Sequence, residues 1–168
     1  MSRLNVDQIY TRTGTGTPAI REMPIVDLAV SGSQSLPSGS WNRITLLSGT
    51  KITNRDTDTN GFWSNSTNRL TPTIPGWYNL NLFATVTHTS STAQGVFMGR
   101  NPNGAVPGGD FTLSNTFRMS TSLSTTMQVT GLIYFNGTTD YMEFFVYSLG
   151  TSPNLTYCVL QANLVRPD

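Results

Sequence analysis

Chemically active side chains are scarce in this chain, which has one cysteine, one histidine, one lysine (Lys51) and two glutamates (Glu22 and Glu143) among its 168 residues. A lone Cys158 excludes an intrachain disulfide, and its setting in TYCVLQANLV reads as a strand interior, where a thiol is a small inert hydrophobe. Zinc takes three or four nitrogen, sulfur or carboxylate ligands, and His88 with a cysteine seventy positions away supplies no such set. General acid–base chemistry needs a titratable group poised near neutrality, yet His88 stands among Thr87, Thr89 and Ser90 with no evident partner. No catalytic residue, metal site or cofactor is therefore expected. Charge is scarce as well. Ten Lys and Arg against nine Asp and Glu give a formal +1, and the cations are scattered from Arg3 to Arg166, which gives nucleic acid no electrostatic foothold. No apolar run approaches the roughly 18 residues of a membrane span, and the opening MSRLNVDQIYTRTGTGTP lacks the apolar core of a signal peptide. The expectation is a protein made in a cytoplasm, with no membrane partner.

Strong helix formers are few, and what replaces them is informative. There are 26 Thr, 17 Ser, 14 Asn and 15 Gly, together 72 of the 168 residues. Thr favours strands while Ser, Asn and Gly favour turns, so the composition indicates one all-β domain before any pattern is read. Eight Phe, six Tyr and three Trp suffice to fill a single core between two sheets.

Residues 1–24 differ from the rest. They carry GTGTP, Pro24 and one thin apolar set, Leu4, Val6, Ile9 and Tyr10, and read as an extended arm preceding a domain at 25–168. The glycines of GTGTP have neither a strand before them nor a helix after, so they mark a bent arm and no phosphate cradle. From Ile25 onward, short alternations are separated by turn clusters about every ten residues, the spacing of an antiparallel β-sandwich or jelly roll. Strands are expected at 25–30, 41–47, 50–55, 68–71, 76–87, 94–100, 116–122, 125–136, 141–148 and 154–164.

Three strands reveal their faces. In GWYNLNLFATV, Tyr78, Leu80, Leu82, Ala84 and Val86 share one side, and Asn79, Asn81 and Thr85 the other. In MQVTGLIYF the face opposite Met127, Val129, Ile133 and Phe135 holds Gln128, Thr130, Leu132 and Tyr134, too apolar at one end for open solvent. In YMEFFVYS both faces are apolar: Met142, Phe144 and Val146 oppose Tyr141, Glu143, Phe145 and Tyr147, three aromatics around one carboxylate. Such a strand needs cover on both sides. The expectation is that its second face meets another copy of the chain, the alternative being a long loop such as 99–115. Asp56-Thr-Asp58-Thr-Asn60-Gly61 has the opening spacing of a calcium loop, but Thr67 stands where the closing bidentate carboxylate belongs, so a polar β-turn is expected.

The run PTIPGWYNLNLFATV resembles the Pro-x-x-Gly-x-Tyr strand entry of the tumour-necrosis-factor and complement globular-head jelly roll. GLIYFNGTTDYMEFFVYSLGTSPNL resembles the later hairpin of that family, in which a polar turn ending in Asp precedes an aromatic strand. The resemblance spans roughly 41–164. It implies a homotrimer in which Tyr141, Glu143, Phe145 and Tyr147 become interface residues. The segment from Leu4 to Pro18 is similar to one that recurs at the start of structural proteins of tailed bacteriophages, where it resembles an anchoring arm.

These features together lead to the expectation of a bacteriophage virion structural protein rather than an enzyme. Its expected form is a trimeric capsid decoration (cement) protein fastened to a major capsid or other virion protein through Leu4, Val6, Ile9 and Tyr10. No heptads, collagen triplets or β-helix repeats separate arm from head, so a fibre shaft is not expected. The alternative is a receptor- or glycan-binding tip of a tail or head fibre, in which Trp63, Phe62 or residues 101–110 contact host-surface sugar. A carbohydrate-active enzyme is the remaining alternative, through a pair of the two Glu and seven Asp.

Overall fold

The computed structural model describes residues 24–102, 111–117 and 124–168, and these form a jelly-roll sandwich of two antiparallel sheets. The first sheet has the order β3 (Lys51–Asp58), β1 (Ile25–Ser35), β11 (Asn154–Pro167), β6 (Gly76–Thr87), β9 (Ser124–Phe135). The second runs β4 (Trp63–Ser64), β5 (Arg69–Leu70), β10 (Met142–Thr151), β7 (Ser90–Arg100), β8 (Phe111–Phe117), with β2 (Ser40–Arg43) also paired to β10. Among the described residues the one helical element is a 3-10 turn at Leu46–Ser48, and no helix is long and apolar enough to cross a membrane.

Alternation decides the core. β6 buries Tyr78, Leu80, Leu82, Ala84 and Val86 while its odd-numbered residues face out, and its register with β9 brings Leu82 beside Val129 and Tyr78 beside Ile133. From the facing sheet come Val96, Met98, Met142, Phe144 and Val146. Fully burying such a side chain contributes about 1.5–3 kcal/mol. Tyr78 packs edge-on against Phe62 and Phe135 and donates its hydroxyl to the Ile74 carbonyl at 2.9 Å, and burial pushes its phenol up to about 12. Cys158 lies in this core, where burial raises its thiol. Gly76 opens β6 at φ +149°, tucked so closely against the Arg166–Pro167 backbone that a Cβ would stand 2.9 Å from the Pro167 Cα.

Several expected strands shift. The stretch from Trp41 ends as a strand at Arg43, because Ile44, Leu46 and Leu47 are all buried and a strand cannot turn two adjacent side chains inward; the 3-10 turn can. The strand expected at 116–122 lies at Phe111–Phe117, fixed by pairing with β7 (Arg100 opposite Phe111, Gln94 opposite Phe117), so part of the expected 99–115 loop is sheet. The arm residues 1–23 lie outside the described residues. The described chain enters at Pro24, whose carbonyl accepts the Leu164 N–H at 3.2 Å.

One part of the interior breaks the apolar rule. Gln94 and Ser148 face each other across β7 and β10 on their inward sides, and both are fully buried. Their side chains, like that of the buried His88 before β7, find no hydrogen-bond partner among the described residues. Leaving a buried polar group unpaired costs about 1–3 kcal/mol. Gln94→Met, which keeps length and removes both polar atoms, is therefore expected to stabilise the fold by about 1–3 kcal/mol, a rise of several degrees in Tm by calorimetry. A fall in Tm would show that Gln94 holds an internal water it needs.

Candidate interaction surface

The second face of β10 is a built surface. Glu143, Phe145 and Tyr147 alternate outward with Tyr141 just before the strand, so the structure brings all four expected residues to one side. β2 runs alongside, placing Arg43 opposite Phe145 and Trp41 opposite Tyr147, and β7 places Phe97 opposite Phe145 on the other flank. The rings form a tilted chain: Trp41 lies 5.4 Å from Tyr147 and 5.6 Å from Phe97, which lies 5.6 Å from Phe145.

Glu143 is the electrostatic centre. Its carboxylate is 0% exposed and receives Arg43 Nη2 and Arg69 Nε, each at 2.7 Å, from arginines whose side chains are 36% and 34% exposed. Arg69 also lies over the Tyr141 ring at 4.0 Å. A carboxylate with no water is tolerated only when paired in this way. The sequence showed one acid among aromatics but not which of the nine arginines would answer it; Arg43, Arg69 and Trp41 went unnoticed there. The one signal was that Trp41 and Arg43, two apart, must share a strand face.

Much of the cover for this face comes from its own chain. Phe145 is 1% exposed and Glu143 0% within a single chain, so the cover that the two-faced strand requires is already present. Only Tyr141 and Tyr147 stay half-buried. One residue of the glycan alternative is corrected. Phe62 is a core residue at 2% exposure, and the Trp63 indole donates to Asn65 Oδ1 at 2.8 Å while its ring leans on Phe144. Asn101 holds the turn before β10, donating to Asp140 and accepting the Tyr141 N–H, both at 2.9 Å; residues 103–110 lie outside the described residues. In the expected polar turn, the Asp58 carboxylate accepts the N–H groups of Phe62 and Trp63 at 2.9 and 2.7 Å, and Gly61 supplies φ +65°. Asp27 pairs with Arg55 at 2.7 Å, Asp140 caps the Asn136 turn, and Asp168 accepts from Tyr134, so these carboxylates hold the frame.

No protein-family model matches the chain, and no curated protein matches it in sequence. Solved structures do. The chain is similar to the globular domain of the zebrafish complement 1qA protein, with 17% identity and a TM-score of 0.56 over 88% of this chain and 100% of that one. It is similar to the tumour necrosis factor Eiger from S. frugiperda, with 9% identity and a TM-score of 0.57 over 86% and 95% of the two chains. It is also similar to the PRD1 vertex protein P5, with 17% identity and a TM-score of 0.57 over 85% and 97%. The fold is the complement and tumour-necrosis-factor jelly roll.

Proposed function

We propose that this chain is a structural protein of a bacteriophage virion, a homotrimeric capsid decoration protein whose jelly roll projects as a knob and whose first residues fasten it to the particle. The observation that carries this reading is the likeness to the PRD1 vertex protein P5, a phage virion protein built on the same sandwich over nearly its whole length. Composition agrees: chemically active side chains are few, and most of the carboxylates placed in the structure brace turns and strand pairs. The arm is the attachment device. Leu4, Val6, Ile9 and Tyr10 are too few to form a core of their own, so they gain order by docking on a capsid surface. Because Pro24 already bonds to β11, removal of residues 2–23 spares every described contact of the knob.

Deleting residues 2–23 is expected to leave a folded knob with unchanged circular dichroism that no longer co-sediments with particles stripped of this protein, whereas the full chain rebinds them. Equal binding by both forms would move attachment to the jelly roll. No binding by the full chain to any virion component would end the virion reading.

A further inference from the structure

The outward face of β10 holds more positive charge than its own carboxylate needs. Among the described residues along it, two cations, Arg43 and Arg69, meet one anion, Glu143. One guanidinium would neutralise the carboxylate, and the second leaves a positive charge without a counter-ion. Neither is sealed in. About a third of each arginine side chain is open to solvent, while the carboxylate between them has no exposure at all. The anion is thus used up inside the protein and the cations face outward. A pair built for stability alone would set one arginine against one glutamate, and even that contributes little when buried.

The hydrogen-bonding atoms left over around Glu143 are mostly donors. The carboxylate takes Arg43 through Nη2 and Arg69 through Nε, so each guanidinium fork keeps most of its N–H groups for an outside acceptor. Neither the Trp41 indole N–H nor the Tyr147 hydroxyl has a hydrogen-bond partner among the described residues, and both side chains are half-buried. Both stand beside the arginines. Trp41 precedes Arg43 by two residues on β2, which sets the two side chains about 7 Å apart on one side of the strand. Tyr147 lies opposite Trp41, with ring centroids 5.4 Å apart.

We propose that this face binds an acidic oligosaccharide, with Arg43 and Arg69 taking the carboxylate of a uronic acid unit, Trp41 and Tyr147 supporting its ring, and the indole N–H and phenol meeting its hydroxyls. Charge complementarity selects the anion, because a carboxylate offers two acceptor oxygens to guanidinium forks that have donors to spare. Spacing agrees. A hexuronate ring resting on an indole reaches through its carboxylate to a nitrogen about 7 Å away, the strand repeat that separates Trp41 from Arg43. A peptide fits less well. β10 is paired on both sides, by β2 and β5 on one and β7 on the other, so no open strand edge takes a peptide backbone, and peptide N–H groups would meet other donors. Sugar hydroxyls accept as readily as they donate and match a donor-rich face. This inference goes beyond the proposed function and does not rest on it, since the ligand is offered to the isolated chain.

The test is calorimetric titration of the full chain with trigalacturonate at low ionic strength. Saturable binding is expected with the free acid and not with its methyl ester, and it is expected to weaken as salt rises, because exposed charges are screened. Arg43→Gln leaves Arg69 to hold Glu143, so the protein is expected to stay folded by circular dichroism and to bind at least about tenfold more weakly, the loss of one hydrogen bond between charged groups. Arg166→Gln, a cation at the exposed chain end, is expected to bind as the unmutated chain does. Tyr147→Phe removes one hydroxyl and no packing, and is expected to weaken binding about 2- to 10-fold. If Arg43→Gln fails to fold, Tyr147→Phe decides, and unchanged binding by it overturns the proposal. Absence of saturable binding to trigalacturonate overturns it directly. An equal loss in Arg166→Gln and Arg43→Gln overturns it in favour of diffuse attraction to the protein's charge. Tighter binding of an oligoglutamate peptide than of trigalacturonate overturns it in favour of a protein occupant.

Discussion

Replacing Arg43 and Arg69 together by Met is expected to remove about 3–5 kcal/mol of unfolding free energy, read by urea titration with linear extrapolation. Either single change is expected to cost about 1.5–3 kcal/mol, the worth of a hydrogen bond to a charged group. Glu143 is the reason. It sits with no solvent on the outer side of β10, and its two ion pairs at 2.7 Å are the groups that replace water around it. With one guanidinium left, the carboxylate keeps a counter-charge; with neither, a bare anion stays in a site closed by aromatic rings. The triple variant that adds Glu143→Met is expected to recover most of the loss, because exchanging a whole buried ionic group for apolar side chains of similar size is close to neutral or stabilising. If the triple variant is as weak as the double, the loss came from the arginine stems and the Arg69 contact with Tyr141 instead.

How much of this was legible in the sequence depends on range. β6 runs Gly76–Thr87 as its alternation predicted, because a Pro-Gly entry and an unbroken period of two are local signals. β9 departs by one residue at each end for the same reason. β8 was misplaced by five residues because nothing local anchors it: Gly, Pro and Asn around 101–110 read as one long loop, and its position follows from hydrogen bonding to β7. The two-residue strands at Trp63–Ser64 and Arg69–Leu70 are too short for any period. At the candidate surface, alternation put Tyr141, Glu143, Phe145 and Tyr147 on one face, as found. What covers that face was not legible, since Trp41, Arg43 and Arg69 lie some 70 to 100 residues away in the chain, and only folding reveals that β2 and β5 flank β10. The apolar end of the Gln128–Tyr134 face was legible as an anomaly, and Leu132 is indeed among the most exposed apolar residues.

The two faces of β10 provide the last and most discriminating expectation: Phe144→Ala and Phe145→Ala should cost similar amounts of subunit stability, about 3–5 kcal/mol each. Phe144 points inward to the core at 0% exposure and touches Trp63, at 6.1 Å between ring centroids. Phe145 points the other way, yet is 1% exposed, with Phe97 at 5.6 Å and Trp41 one ring further on. Truncating either leaves a cavity that neighbours fixed by sheet pairing on both sides cannot close. Were Phe145 covered by a second copy, its loss would instead appear as weaker subunit association with the isolated fold little changed. The expected result is the opposite: the urea midpoint falls for both variants, while the subunit dissociation constant of Phe145→Ala, measured by sedimentation under native conditions, matches that of the unmutated chain. A large rise in that constant with an unshifted midpoint would place the contact between copies on β10 after all, because the energy of Phe145 would then reside between chains and not within one.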